Sequence, residues 1–271
     1  YERFAKAGPG LIWFEAVATL PEARASAHQL SLNENNVDAF RRLLDQIRET
    51  SLRENGSVPL IIMQATNSGR YAKPHGVPEP LIAYHCPPLE DTPLSDDRIV
   101  TDDDLRRFED AYTHTARLCQ KAGFDGMDVK CCHRYLANEL LSAYQRPGAY
   151  GGSYENRTRF LKNCYRAALA GIQGHAFFLS SRLNVYDGFA YPNGFGVGFA
   201  NGQVYQTGHN GCLVINHSFH SQGAAPGYAM CYMWGIRHIP GNPWRKTRID
   251  DPEHSWLWKS NANEHIFKPE V

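Results

Sequence analysis

The sequence predicts an α/β fold, in which buried parallel strands alternate with amphipathic helices. A short apolar run from Leu11 to Phe14 follows a Gly-Pro-Gly turn, and apolar residues then recur at helical spacing from Val37 to Ile47. The same alternation of strand and helix returns further along the chain. Units of this kind build a parallel sheet with helices outside it.

The later elements follow the same pattern. Thr101, followed by three aspartates, is a predicted N-cap of the second helix, and Gly123 is its predicted end. Ser153 is the predicted N-cap of the third helix. A long loop is expected at residues 67–100, because the run between strand and helix contains many Pro and Gly residues. The further strands are expected at residues 59–63, 124–130 and 176–184.

Composition indicates a soluble globular chain. Its 271 residues are enough for a sizeable core, and 28 Lys and Arg residues balance 28 Asp and Glu residues. A chain with no net charge lacks the clustered positive charge that binds nucleic acid or an anionic membrane, so neither is expected as a partner. The longest apolar runs are far shorter than the roughly 20 residues of a membrane-spanning helix. No membrane segment is therefore predicted.

The cysteine content bears on the compartment. Seven cysteines are too few for a disulfide scaffold, and their odd number, with no secretory leader in the sequence, favours reduced thiols. We therefore expect a cytoplasmic protein. The adjacent Cys131 and Cys132 are expected to be two buried or semi-buried thiols, since a bond between neighbours is strained.

Two motifs carry a resemblance to a known family. Residues 122–130 read Ala-Gly-Phe-Asp-Gly-Met-Asp-Val-Lys and are followed by His133 and Tyr135, while residues 150–157 read Tyr-Gly-Gly-Ser-Tyr-Glu-Asn-Arg. Together they resemble the old yellow enzyme family of FMN-dependent oxidoreductases. Weaker matches support it at Gly10-Leu11-Ile12, Glu15-Ala16, Gln64, Gly69-Arg70 and Arg182-Leu183.

The resemblance implies a (β/α) TIM barrel of which only family strands two to five are recognisable. It covers about residues 5–197, so we divide the chain into a partial flavin-oxidoreductase-like barrel at 1–197 and an unassigned, irregular tail at 198–271. Each βα unit needs roughly 30 residues, so 74 residues cannot hold the remaining strands. In the family, the phosphate site lies at the loops after the seventh and eighth strands.

Strand parity supports the placement of the site independently. Side chains alternate across a strand, and the outer face of a barrel is apolar against its helices. Met127 and Val129 are then expected to point outward, and Asp128 and Lys130 inward. The same reasoning puts Gln64 and Arg182 at the inner, carboxyl end of the neighbouring strands. Because neighbouring strands lie about 4.8 Å apart, Gln64, Lys130 and Arg182 are expected to reach one planar ligand.

Cofactor-binding roles follow from the resemblance. Gln64 is expected to hydrogen-bond the pyrimidine edge of FMN, because an amide both donates and accepts, and Ala16 to allow a close backbone approach beside the ring. Arg182 resembles the family arginine near flavin N1 and O2, where a cation stabilises the reduced ring.

Catalytic roles are implied in the same way. Lys130 and His133 occupy the positions of the family pair that donates to the substrate carbonyl oxygen, although the family has His at the first position. Tyr135 matches the tyrosine that protonates the substrate carbon. The implied reaction is reduction of FMN by NADH or NADPH, followed by reduction of a small-molecule substrate, an activated alkene or similar acceptor.

Several alternatives stay open. Lys130 and Asp128 could form a structural ion pair. The whole chain could be a non-catalytic partial barrel, or a truncated or frame-disrupted product that does not hold flavin. The tail contains four of the five Trp and six of the twelve His without any clean period. Its Cys and His residues, at positions 212, 217, 220, 231 and 238, match no zinc-finger spacing, so no metal site is predicted.

Overall fold

A computed structural model describes residues 1–174, 177–184, 187, 189 and 191–195, together with the backbone of four short strands between residues 197 and 232. Among these described residues, no helix has the length and apolar character needed to cross a membrane.

The core of the fold is a four-stranded, all-parallel sheet in sequence order. Its strands are β1 (Leu11–Ala18), β2 (Leu60–Thr66), β3 (Gly126–Val129) and β4 (Phe178–Ser180). The four predicted strands are thus confirmed in place and order. The prediction for the fourth was too long, because pairing stops at Ser181, whose hydroxyl donates to the carbonyl of Val129 at 2.7 Å. Pairing returns only as an isolated bridge between Cys131 and Leu183.

Three long helices connect these strands. Of three short helices, one precedes β1 and two lie between β3 and the last long helix. In chain order the helices are α1 (Glu2–Lys6), α2 (Val37–Asn55), α3 (Asp102–Ala122), α4 (Leu136–Leu141), α5 (Tyr154–Arg157) and α6 (Arg159–Gly171). Ser153 caps α5, as predicted, by accepting from the amide of Asn156 at 3.2 Å. The single helix expected there is divided at Thr158, whose hydroxyl donates to the carbonyl of Tyr154 at 2.9 Å.

The ends of α3 are as predicted. The Thr101 hydroxyl accepts from the amide of Asp104 at 3.1 Å, and the Asp104 carboxylate accepts from the amide of Thr101 at 2.9 Å. This reciprocal pair satisfies two orphan amides and stabilises the helix by about 1 kcal/mol. Gly123 ends the helix with φ of 93°, a left-handed conformation that favours glycine.

The hydrophobic core lies between the outer face of the sheet and the helices. On β2 and β3 the residues that point outward are fully buried and apolar, namely Ile61, Met63, Ala65, Met127 and Val129. They pack against apolar side chains of the three long helices, among them Leu44, Phe108 and Ala168. The predicted parity is therefore confirmed, and the inner face of the sheet is left to polar residues at its carboxyl end.

The amino end of the inner face is apolar and open. Leu60 is 44% exposed and Phe178 is 55% exposed. Four parallel strands are half of the eight that close a (β/α) barrel, so side chains that would fill a closed lumen remain in contact with solvent.

The chain after β4 changes character. Strands β5 (Val197–Ala200) and β6 (Gln203–Gln206) pair antiparallel, and so do β7 (Ile215–Asn216) and β8 (Cys231–Tyr232). The parallel pattern of the first 180 residues does not continue in these described strands.

Candidate active site

One row of side chains crosses the whole sheet on its inner face. Ala16, Gln64, Asp128 and Ser180 stand opposite one another in the register of the four strands. Because neighbouring parallel strands in register point their side chains to the same side, the four residues form a single row.

A second row lies two residues further on, at the carboxyl edge. Lys130 follows Asp128, and its amide donates to the carbonyl of Ala65 at 3.0 Å. Arg182 follows Ser180, and its carbonyl accepts from the amide of Cys131 at 2.9 Å. The backbone thus places Gln64 on β2, and Lys130 and Arg182 just after the carboxyl ends of β3 and β4.

Gln64 has an unused acceptor. Its Nε2 donates to the carbonyl of Phe14 at 2.7 Å, which fixes the amide against β1. Its Oε1 is buried and has no hydrogen-bond partner within the part of the chain that the structure describes. A buried carbonyl oxygen without a partner costs free energy, so this atom suits a ligand that offers an N–H group.

Ala16 stands beside Gln64 on the first strand. Its carbonyl accepts from Nε2 of Gln29 at 3.1 Å, so a segment outside the sheet holds this end of β1. The small side chain of Ala16 leaves space beside Gln64 in the row that crosses the sheet.

Asp128 is a fully buried carboxyl group. Neither of its oxygens has a hydrogen-bond partner among the described residues. Burial raises the pKa of Asp128 to about 6, against the opposing influence of Arg182, Lys130 and Trp13. The ion pair with Lys130 that the sequence left open does not form within the described residues.

Lys130 is 5% exposed, and its ammonium nitrogen lies 3.9 Å from the centroid of the Tyr135 ring. This is a cation–π contact, which partly replaces the lost hydration of the amine. Burial, aided by the positive charge of Arg182, lowers the pKa of Lys130 to about 8. The ammonium therefore lies under the protein's own phenol ring, and any ligand reaches it beside that ring.

The two other predicted catalytic residues lie beside Lys130. The rings of His133 and Tyr135 meet edge to face, with centroids 6.1 Å apart. Burial lowers the pKa of His133 to about 3, with Lys130 and Arg182 acting in the same direction, so the imidazole is neutral at pH 7. Burial raises the pKa of the Tyr135 phenol, which keeps its proton available.

The loop that carries these residues has an unusual backbone. His133 and Arg134 both have positive φ, at 64° and 57°. The Arg134 guanidinium is fully buried and donates to Asp187 at 2.7 Å and to the Ser142 hydroxyl at 2.6 Å. Sequence reasoning missed both Arg134 and Asp187, because no Gly or Asn indicates the left-handed turn and the partners lie 53 residues apart.

The loop after β2 packs against the start of α4, next to Tyr135. Gly69 has φ of 56°, and a Cβ there would lie 2.7 Å from the amide nitrogen of Leu136, which follows Tyr135 directly. Arg70 forms buried ion pairs with Glu139 on α4 and with Glu90. These contacts fix the start of α4, and hence the position of Tyr135, relative to β2.

Arg182 lies next to a thiol. Its Nε donates to the Sγ of Cys132 at 3.3 Å. Cys131 and Cys132 are both buried and free, as predicted. Arg182 is half-buried at the edge of the sheet, so part of its side chain contacts solvent.

No group of three metal-ligating side chains occurs among the residues that the structure describes. The Cys and His side chains of the tail considered as zinc ligands lie outside those residues.

Comparison with known proteins decides the family. Residues 1–195 match the model of the NADH:flavin oxidoreductase / NADH oxidase family. The chain belongs to this family. An NADPH dehydrogenase of Geobacillus thermodenitrificans is 33% identical over 156 residues, which cover 56% of this chain and 42% of that protein. An NADH-dependent flavin oxidoreductase of Aspergillus parasiticus is 30% identical over 148 residues, 52% of this chain and 32% of that protein. The chain thus spans less than half the length of these relatives.

Solved structures agree on the fold. An old yellow enzyme homologue from Zymomonas mobilis is 26% identical with a TM-score of 0.54, covering 66% of this chain and 52% of that one. A complex of 2-naphthoyl-CoA reductase gives a TM-score of 0.58 at 24% identity, covering 68% of this chain and 29% of that one. The family and its TIM-barrel fold, expected from the sequence, are therefore confirmed, with four parallel strands of the barrel among the described residues.

The tail is similar to a different family. Residues 180–257 match the model of the KduI/IolB family.

Proposed function

We propose that this chain is an FMN-dependent oxidoreductase of old yellow enzyme type, which uses NADH or NADPH to reduce an activated alkene or a similar small acceptor. The observation that carries the proposal is the register of the sheet. It aligns Ala16 with Gln64, and it brings Lys130 and Arg182 to the same carboxyl edge. Active sites of (β/α) barrels are built at this edge.

The residues present suit the pyrimidine edge of FMN. The buried Oε1 of Gln64, without a partner in the described residues, accepts an imide N–H, and the Arg182 guanidinium offers donors and a permanent positive charge. Ala16 leaves space beside them. When bound, FMN supplies hydride transfer from a nicotinamide to an acceptor.

The protein's own groups account for the proton steps. Tyr135 keeps its phenol proton, because burial raises its pKa, and we assign it the protonation of the acceptor carbon. Neutral His133 and the Lys130 ammonium provide donors for an acceptor carbonyl oxygen. The amine of Lys130 can reach that oxygen only beside the Tyr135 ring, since it lies under the ring face.

The division of the chain at residues 197 and 198 remains part of the proposal. The described parallel sheet ends at β4, antiparallel pairing begins with β5 at Val197, and the first family match ends at residue 195, although the second overlaps it from residue 180. Because the tail matches a protein family in the reading frame given, the match argues against the frame-disrupted alternative.

We also propose a cytoplasmic location, since the five cysteines that the structure describes are all free thiols.

A second candidate is a partial barrel that does not catalyse. The observation that favours it is the span of the match, since four of eight strands are described in parallel order and the alignment covers 42% of the Geobacillus relative. Retained FMN that NADPH reduces would exclude this candidate.

The test separates the two half-reactions by rapid mixing. Tyr135→Phe removes only the phenol oxygen, so we expect reduction by NADPH to be unchanged and re-oxidation by an alkene such as 2-cyclohexenone to slow by about 100-fold. Tyr154→Phe, at an exposed tyrosine, is the matched control. Equal losses in both half-reactions of Tyr135→Phe would contradict the role of Tyr135, and a chain that binds no FMN would contradict the function.

A further inference from the structure

The placement of Lys130 suggests chemistry that does not need a flavin. We propose that Lys130 is a nucleophilic amine, which forms an imine with a small aldehyde or ketone at the carboxyl end of β3. The proposal is independent of the flavin function, because it uses only side chains of this chain and a carbonyl compound.

The first support is the geometry around the amine. Lys130 is 95% buried in the lumen-facing row, and its nitrogen is held over the face of Tyr135 at 3.9 Å from the centroid. No carboxylate lies within ion-pairing distance of it among the described residues, whereas Lys121 and Lys6 each have one. The Tyr135 ring face stabilises the ammonium form, but less than an ion-paired carboxylate would.

The second support is the protonation state of the Lys130 amine. Only an unprotonated amine attacks a carbonyl carbon, and a lysine becomes nucleophilic when it is desolvated or placed beside another cation. Both conditions hold here, since burial and Arg182 lower the pKa of Lys130 to about 8. At pH 7 about one in ten such amines is free, against fewer than about one in a thousand for an ordinary lysine with a pKa near 10.4.

The charged and titratable groups that face Lys130 allow the proton transfers. They are Asp128, Cys132, His133, Tyr135 and Arg182. Asp128 precedes Lys130 on the same face and has two oxygens without partners in the described chain. With its pKa raised to about 6, its carboxyl group can both take up and return a proton near neutral pH.

The reaction balances without an oxidant or reductant. The amine nitrogen attacks the carbonyl carbon, the carbon–nitrogen bond forms as the carbonyl π bond breaks, and Asp128 carries one nitrogen proton to the alkoxide oxygen to give the carbinolamine. Asp128 then carries the second nitrogen proton to the carbinol hydroxyl, which leaves as water while the carbon–nitrogen double bond forms. The net change is loss of one water from one amine and one carbonyl compound.

The experiment traps the imine. The full chain, with no flavin added, is treated at pH 7 with acetaldehyde and sodium cyanoborohydride, and ethylated lysines are mapped by peptide mass spectrometry. The internal control is Lys162, an exposed lysine whose nitrogen also lies near a tyrosine ring, 5.6 Å from the centroid of Tyr154. We expect Lys130 to be ethylated about tenfold faster than Lys162, with the ratio falling as the pH is raised to 9. Ethylation of Lys130 at or below the rate of Lys162 overturns the proposal.

Two variants complete the test. Asp128→Asn is expected to slow ethylation of Lys130 about tenfold and to leave Lys162 unchanged, and an unchanged rate at Lys130 would overturn the proton-transfer role of Asp128. Lys130→Arg keeps the positive charge but cannot form an imine, so a persistent fast site in this variant would place the reaction elsewhere. The mapping on the unmodified chain decides the main claim even if a variant fails to fold.

Discussion

The guanidinium of Arg134 donates to a carboxylate oxygen of Asp187 at 2.7 Å, and both side chains are fully buried. Asp187 also accepts from the amide of Phe195 and from Asn184. The pair therefore joins the loop that presents His133 and Tyr135 to the segment that follows β4. A buried charge of this kind is stable only while its partner is present.

Removing one side of this pair should be costly. We expect Arg134→Ala to lower the free energy of unfolding by about 3 to 5 kcal/mol, because Asp187 is left as an uncompensated buried charge. Urea denaturation followed by circular dichroism measures the change. The double variant Arg134→Ala with Asp187→Asn should recover part of the loss. A double variant that is destabilised by the full sum of the two single changes would show that the residues are not coupled.

The left-handed backbone at Arg134 gives a control for the same measurement. Glycine adopts φ near 57° without strain, so Arg134→Gly should be about 1 kcal/mol more stable than Arg134→Ala although both lack the ion pair. Equal stabilities would mean that the loop rearranges when the guanidinium is removed.

Gly69 should tolerate no side chain. A Cβ would lie 2.7 Å from the amide nitrogen of Leu136, and φ is already positive, so we expect Gly69→Ala to cost about 2 to 4 kcal/mol and to displace the start of α4. Gly76 is the matched control, since its φ is also positive but a Cβ there meets nothing within 4 Å. Gly76→Ala should cost only about 1 kcal/mol. Similar costs at the two positions, measured by urea denaturation, would contradict the close contact with Leu136.

Much of the sheet could be predicted from the sequence because the residue patterns that define it involve residues close together in the chain. Alternation of apolar residues placed Met127 and Val129 outward, and that alone sends Asp128 and Lys130 to the inner face. The Thr101 cap and the Gly123 ending follow from residue chemistry within one turn of helix. These signals depend on neighbours in the chain, so they can be read without coordinates.

The detailed site depends on contacts that no local pattern encodes. The loop after β3, whose Tyr135 ring lies under the Lys130 amine, has left-handed conformations at His133 and Arg134, and arginine is not a residue type that indicates such a turn. The ion pairs of Arg70 with Glu139 and of Arg134 with Asp187 bridge 69 and 53 residues. The roles of Gln64, Arg182 and Tyr135 stay predictions until ligand binding is measured.

Lys130 should make stability depend on pH in an unusual direction. Its folded pKa of about 8 lies below the value near 10.4 expected when unfolded, so unfolding takes up a proton between these pH values. Raising the pH through this window therefore stabilises the folded state. We expect the stability advantage of Lys130→Met over the unmodified chain to shrink by on the order of 2 kcal/mol between pH 8 and pH 10. Urea denaturation at each pH measures it, and a constant difference would show that the amine is not desolvated.

We expect the inner face of the four-stranded sheet to hold a flavin ring through Gln64. FMN is titrated with the full chain while quenching of flavin fluorescence is followed, and Gln64→Leu and the exposed-site control Gln145→Leu are measured in parallel. We predict saturable binding by the unmodified chain and by Gln145→Leu, and about tenfold weaker binding by Gln64→Leu, as expected for loss of one buried hydrogen bond. Flavin emission that stays unchanged with the unmodified chain, or equal affinity for all three proteins, would contradict the account.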